Sequence, residues 1–306
     1  MRTLKTGGSG LPESKMKFEA PLLPWPAEWK TKKPQAIALL GVLLFGAASI
    51  VFIPFSIEAA ANGDTFRMLY GIAGVFMCLT FVAIGMPRVW VRRKGLPRAM
   101  VVGETVKGNR GLRLLYLSSW KIVLFLWLIA CVAFLGLRGL SFLFSMNDDA
   151  DSAGRQSINL GGFAIALVAA VVAIFLLLLT FLGRGPRRGW ITLDDVGISQ
   201  VAGNTSRAIS WESIGGISAH LINNSHAVRI TPAIGAKFQV ATGRSLLCRW
   251  QQGFLEQAMD VPVWVLGMDP ALFLHLTRFY WRHPEARHEL GTDATVDRIR
   301  RGDLLD

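Results

Sequence analysis

Cysteine is nearly missing from this chain. Only Cys78, Cys131 and Cys248 occur, and no two form a CxxC pair, so neither a disulfide framework nor a zinc-binding set is expected. Histidine is sparse too: His220, His226, His275, His283 and His288 are present, without an HExxH pair of the kind that binds zinc on one helical face. The stretch RHPEARHE (282–289) gathers titratable groups, but Pro284 interrupts any shared helical face. Ser210-Trp211-Glu212-Ser213 lacks the glycine frame of a nucleophile elbow. Gly108, Gly111, Gly215 and Gly216 are followed by no Gly-Lys-Ser/Thr that would make a phosphate loop. These absences lead us to expect a protein that is not an enzyme, with no cofactor, no metal and no catalytic residues.

Acidic residues are absent from four long apolar runs, Ala36–Phe55, Phe66–Met86, Ile122–Leu140 and Leu160–Leu182. Crossing a bilayer takes about 20 apolar residues, and a core helix of a soluble protein would show a polar face within that distance. With 52% hydrophobic residues and a mean hydropathy of +0.39, four membrane spans are expected. The basic residues in or beside them, Arg67 and Arg138, are placed at span ends. The polar groups inside are Ser49, Cys78, Thr80, Cys131 and Thr180, with Asn159 at an end. A conduit would need intramembrane charge or broken helices, so the spans read as an anchor. Gly162, Ala166 and Ala170, with Ala169 and Ala173 beside them, let helices approach closely, within one bundle or, second, across a homo-oligomer contact.

The formal charge of +12 is distributed in a telling way. Residues 1–35 carry seven Lys/Arg against three acids, 87–121 nine against one, and 184–306 fourteen against twelve, while the two other connections carry three against five. Basic segments alternate with spans, as the positive-inside rule requires, which places both termini and the 87–121 loop in the cytoplasm of a multi-pass cell-membrane protein. The surplus flanks spans instead of covering one soluble face, so nucleic acid is not an expected partner. Lys30, Lys32, Lys33, Arg92, Arg93, Lys94, Arg187 and Arg188 set topology, and they are the candidates for attracting anionic lipid headgroups. Trp25, Trp29, Trp90, Trp120 and Trp190 lie just outside spans on the basic side and are the expected interfacial anchors.

Residues 1–35 read as a flexible basic tail, the first twenty disordered. The apolar run that follows is too long and too late for a cleavable signal peptide. SIEAAANGDT makes a short outer connection that forces the first two spans to be antiparallel neighbours. SMNDDADSAG is a solvated acidic loop, because the twelfth position from Asp149 is Leu160 and not the bidentate Glu of a calcium loop. Within 87–121, MVVGETV and LRLLYL read as strands around KGNRG. Such a hairpin is marginal alone and is expected to pack against the C-terminal domain or the membrane surface. The stretch RGPRRGWITLDDVGIS (184–199) marks the exit from the last span into a soluble domain, 184–306. There GWITL and GISQVA flank an Asp-Asp-Val-Gly turn, AISW, ESIGGISA, AVRIT, KFQVAT and VPVWVL supply further strand segments, and the whole suggests an antiparallel sandwich or barrel. Asp269 as N-cap and Pro270 at the first helical position open a helix whose Leu272, Leu276, Phe279 and His283 share one face. Pro284 bends or ends that helix, and a short polar helix is expected around Thr295–Arg301.

The pair WITLDDVGIS and AISWESIGGI resembles the bacterial pleckstrin-homology-like domains. The tail FLHLTRFYWRHPEARHEL is similar to the closing region of actinobacterial-type multi-pass membrane proteins. The resemblance covers 189–290 and extends to the 100–117 hairpin. It implies an α+β fold closed by a C-terminal helix, and binding of inositol lipid headgroups or proteins. The first hairpin has no Lys-x-Lys/Arg cluster, which argues against a phosphoinositide site, and Trp211 reads as a packed strand residue. The expectation is therefore a four-helix membrane domain (36–183) followed by a cytoplasmic pleckstrin-homology-like module. That module would meet the lipid bilayer surface or an unknown membrane or cytoplasmic protein, as scaffold or regulator. The alternative is an accessory subunit of a membrane transport or envelope-synthesis complex.

Overall fold

The computed structural model describes residues 20–29, 36–96, 100–104, 110–117, 119–148, 153–182, 189–203, 205–242, 253 and 255–305. Four long helices, α1 (Ala36–Ala61), α2 (Thr65–Val89), α3 (Ser119–Asp148) and α4 (Ala153–Leu182), each contain an apolar window long enough to cross a membrane. The main packing runs between sequence neighbours, α1 on α2, α2 on α3 and α3 on α4, so the helices stand as successive antiparallel hairpins. The first connection is tighter than its composition suggests. SIEAAA continues α1, and Asn62–Asp64 alone make the turn, with Gly63 at φ +73°. Asp64 then caps α2 by accepting the Arg67 N–H.

Small residues decide where the helices touch. A Cβ at Gly74 would come within 2.9 Å of the Phe52 ring, and one at Gly162 within 2.6 Å of the Phe142 ring. Ala166 and Ala173 are buried on the same side of α4, so the small stripe of the fourth span serves α3–α4 contact within one chain. Ser49 and Thr80 hydroxyls donate to carbonyls of their own helices, which satisfies them without a second partner. Arg138 departs from expectation. Because α3 runs on to Asp148, this residue lies inside the apolar window Ile122–Phe144 and not at its end. Its guanidinium sits 4.4 Å from the Phe142 ring, on an exposed face from which a long stem reaches toward the nearer interface.

Among the described residues outside the long helices, nine strands build a small antiparallel domain: β1 (Met100–Glu104), β2 (Arg110–Leu115), β3 (Trp190–Asp194), β4 (Gly197–Ala202), β5 (Thr205–Ser210), β6 (Ile214–Ile222), β7 (Ser225–Pro232), β8 (Gln239–Ala241) and β9 (Met259–Pro262). Among the described residues they form a six-stranded sheet, β1-β2-β3-β4-β5-β8, and a three-stranded one, β6-β7-β9, not a closed barrel. The interspan hairpin does more than rest on the C-terminal domain. β2 pairs with β3 from Gly111↔Asp194 to Leu115↔Trp190 and so becomes an inner strand of the larger sheet. Alternation then sends Leu112, Leu114, Ile191, Leu193, Ile198 and Ile209 to one face, where they join β6, β7 and β9 in a single core.

VPVWVL is a strand only as far as Pro262. Val263–Leu266 turn into a 3₁₀ segment closed by Gly267 at φ +68°. Helix α5 (Pro270–Arg282) begins as expected, with Asp269 accepting from the Ala271 and Leu272 N–H groups. It packs on β6 and β7, where the Arg278 Nε donates to the Ile217 carbonyl at 3.0 Å. Leu272, Leu276 and Phe279 are buried in the common core, and His283 stacks on Phe279 at 4.5 Å. After a 3₁₀ stretch, Pro284–Gly291, helix α6 (Asp293–Arg301) is held by a two-pronged Arg298–Glu289 pair at 2.8 and 2.7 Å.

The α3–α4 seam gives a direct test. Gly162→Leu forces a branched side chain into Phe142 and should destabilise the protein by about 1–3 kcal/mol, read as a lower melting temperature in detergent. Ile165→Leu, on a face open to lipid, should leave it unchanged, and equal melting of the two variants would refute the packing described.

Candidate functional site

Two places concentrate polar groups: the junction between α2 and the sheet domain, and a cavity on the large sheet. The junction is built on Asp269, whose side chain is 2% exposed although it is ionisable. Besides capping α5 it receives the Arg92 guanidinium, Nε to Oδ2 at 3.0 Å, and the Arg93 backbone N–H at 3.3 Å. Burial pushes its carboxyl above the usual carboxylate range, and Arg92 and the three backbone donors pull it back only in part. One carboxylate thus ties the residues just beyond the second span to the start of α5.

Segment 20–29 is strapped into the same junction. The Ala20 N–H donates to the Lys94 carbonyl, Arg92 Nη2 donates to the Leu23 carbonyl, and the Arg278 guanidinium holds Glu28 at 2.9 Å. That contact keeps the Glu28 carboxyl below its ordinary range. Trp29 is 0% exposed, and its indole N–H donates to the His220 carbonyl at 2.9 Å. His226 meets both Trp25 and Trp29 edge-on, at 5.0 and 5.3 Å.

These contacts correct several expectations. Trp29 is core and not an interfacial anchor. Burying an indole removes about 150–250 Å² from water, roughly 4–6 kcal/mol, and its N–H finds a strand carbonyl. Trp25 is half-buried in the same cluster, with Arg92 5.2 Å from its ring. Trp190 is a strand residue beneath Arg113, at 5.1 Å. Trp90 alone of these four stays open, at 69% exposure. The Trp120 side chain, and Lys30, Lys32, Lys33, Arg187 and Arg188 altogether, lie outside the described residues. Arg92 is not a free surface cation, Arg93 turns its Nε and Nη2 back to the Trp90 and Pro87 carbonyls, and Lys94 is exposed. Residues 20–29 are structure and not flexible tail.

The second place lies on the face of the six-stranded sheet that turns away from the core. Arg113, Thr192, Ser199 and Ala208 stand opposite one another across four strands. Small residues continue the face at Gly197, Ser206 and Ser210, and leave a cavity of about 320 Å³ over β4, β5 and β8. Thr192 and Ser199 are buried, and their hydroxyls have no hydrogen-bond partner among the described residues. At one end Asp194 accepts from the Val196 and Gly197 N–H groups, while its carbonyl takes the Trp211 indole N–H at 2.7 Å. Trp211 is therefore packed, as expected, but in a 3₁₀ turn (Trp211–Ser213) between β5 and β6. Beneath the sheet a polar chain runs from Arg207 through Gln200 to the Tyr116 hydroxyl at 2.6 and 2.5 Å. Burial raises the Tyr116 phenol and lowers the Arg207 guanidinium.

Sequence reasoning missed this face. Its signal was the alternation of small residues in GISQVA and TSRAIS, of which GISQVA and AISW were read only as strand pattern. Among the described residues no group of three or more His, Cys, Asp or Glu could hold a metal ion. Ser210 and Ser213 bond each other at 2.8 Å, and Glu212 pairs with Arg287. No protein-family model, no curated protein and no solved structure matches the chain.

The Asp269 junction is directly testable. Asp269→Ala leaves Arg92 unpaired and strips the α5 cap, so unfolding of the detergent-solubilised protein should become easier by about 3–5 kcal/mol. Asp269→Asn keeps a cap acceptor and should lose less. A melting curve of Asp269→Ala that overlays the parent would contradict the arrangement.

Proposed function

We propose that the protein is a membrane-fixed interaction module without chemistry of its own. Four spans anchor it, both termini are cytoplasmic, and a pleckstrin-homology-like sheet domain docks a membrane or cytoplasmic protein, or the lipid surface, as scaffold or regulator. The observation that carries this reading is how the domain is joined to the spans. The hairpin between α2 and α3 is built into the sheet through β2–β3 pairing, and the exit of α2 is bound to the α5 cap. A domain held so closely over the bilayer suits presentation of a surface at a fixed height and angle.

The strand–Asp turn–strand beginning, the Trp211 turn, and α5 packed on β6 and β7 after the last strand support the pleckstrin-homology-like assignment. Cytoplasmic placement is supported by the positive-inside asymmetry. Most of the described cations expected to face lipid are engaged within the protein, which favours a protein as the main partner. The concave outer face over β4, β5 and β8 is the docking surface of choice.

Placing a photoreactive amino acid at Gln239, on the rim of that cavity, tests the reading in intact membranes. We expect one discrete cross-linked neighbour, lost when Ser206→Trp fills the cavity. A neighbour that proves to be a pump or synthase held in fixed ratio would make the chain its accessory subunit. No adduct, or one indifferent to Ser206→Trp, would remove the docking function from this face.

A further inference from the structure

Where α2 leaves its apolar window, the chain passes from oil to charge within a few residues. Met86, Pro87 and Trp90 make an apolar wall, and Arg92, Arg93 and Lys94 follow, all lining one open cavity of about 550 Å³. The cations are not equivalent. Arg92 is committed to Asp269 and to the Leu23 carbonyl. Arg93 uses Nε and Nη2 on the carbonyls that end the helix, which leaves Nη1. Lys94 is exposed, and its ammonium has no ion-pair partner among the described residues. The carboxylate that reaches this segment, Asp269, is already shared by Arg92 and the Arg93 N–H. Positive charge is therefore left over, beside an open indole and an oily wall.

We propose that this cavity seats one anionic phospholipid. Phosphate oxygens lie against Arg93 Nη1 and Lys94 Nζ in charge-assisted hydrogen bonds. The glycerol region meets the Trp90 indole, which prefers the headgroup zone, and an acyl chain runs along Met86. A free phosphate would use the same two cations but leave the Trp90 and Met86 wall without a partner. The proposal rests on the membrane reading above and adds to it one bound lipid at a defined place.

Native mass spectrometry of the full-length protein, offered phosphatidylglycerol or phosphatidylcholine in mild detergent, tests it. We expect one phosphatidylglycerol retained in preference, with Lys94→Gln and Arg93→Gln each weakening retention about fivefold, as removal of one cation near an anionic leaflet implies. Lys237→Gln, beside Glu256 on the sheet domain, should change nothing. Arg93 also closes the helix end, so the exposed Lys94 gives the decisive variant. Equal retention of the two lipids, or no effect of Lys94→Gln, overturns the proposal. Displacement by inorganic phosphate alone overturns it as well, by assigning the site to a free anion. Cross-linking from Gln239 in the Lys94→Gln variant reports on partner docking separately, so the two readings can fail independently.

Discussion

Pairing of β2 with β3 is the constraint on which the rest depends. β2 precedes α3 and β3 follows α4, yet their backbones form one ladder, and paired strands stand about 4.8 Å apart. The chain must therefore cross and return between them. The segment 20–29, ahead of α1, packs into the same domain as the chain beyond α2, which imposes the same even count on the first two helices. Three stretches separated by pairs of spans thus share one side. Charge asymmetry reaches the same arrangement from unrelated physics.

From that constraint follows a domain bonded to the chain just beyond α2 and just ahead of α3. The exit of α2 is bound through Arg92, Arg93 and Asp269. Ahead of α3, the Tyr116 N–H donates to the Gly189 carbonyl and the Leu117 N–H to the Val265 carbonyl, while the Tyr116 hydroxyl ends the buried Arg207–Gln200 chain. Beyond α4, β3 begins at Trp190. Tilting one helical hairpin against the other would strain the ladder, the ion pair or both. The sheet domain and its helices are coupled mechanically, as the proposed scaffold or regulator role would require.

The sequence made some of this legible and hid the rest for identifiable reasons. Long apolar runs, the Asp194 turn and the Asp269–Pro270 helix start are local signals, and each lies where it was expected. The strand partner of LRLLYL was not local. Hydrophobic alternation shows that a strand has a buried face but not what pairs with its edge. Trp25 and Trp29 misled for a related reason: an indole beside a span suits a headgroup zone and a protein core equally, and only His220 and His226, some two hundred residues on, decide between them. Arg138 was misplaced because the helix outlasts the apolar run. The small-residue face of Thr192, Ser199, Ser206 and Ser210 left no mark beyond ordinary alternation.

The most direct measurement is a disulfide across the ladder. With Cys78, Cys131 and Cys248 replaced, an Arg113→Cys/Thr192→Cys chain brings two thiols to directly opposed positions of β2 and β3, within the separation a disulfide requires. Mild oxidation in membranes should join them nearly completely, while Arg113→Cys/Leu193→Cys, whose side chains point to opposite faces, should remain reduced. Failure of the first pair, or equal bridging of both, would contradict the shared sheet and with it the tethering of the domain to its spans.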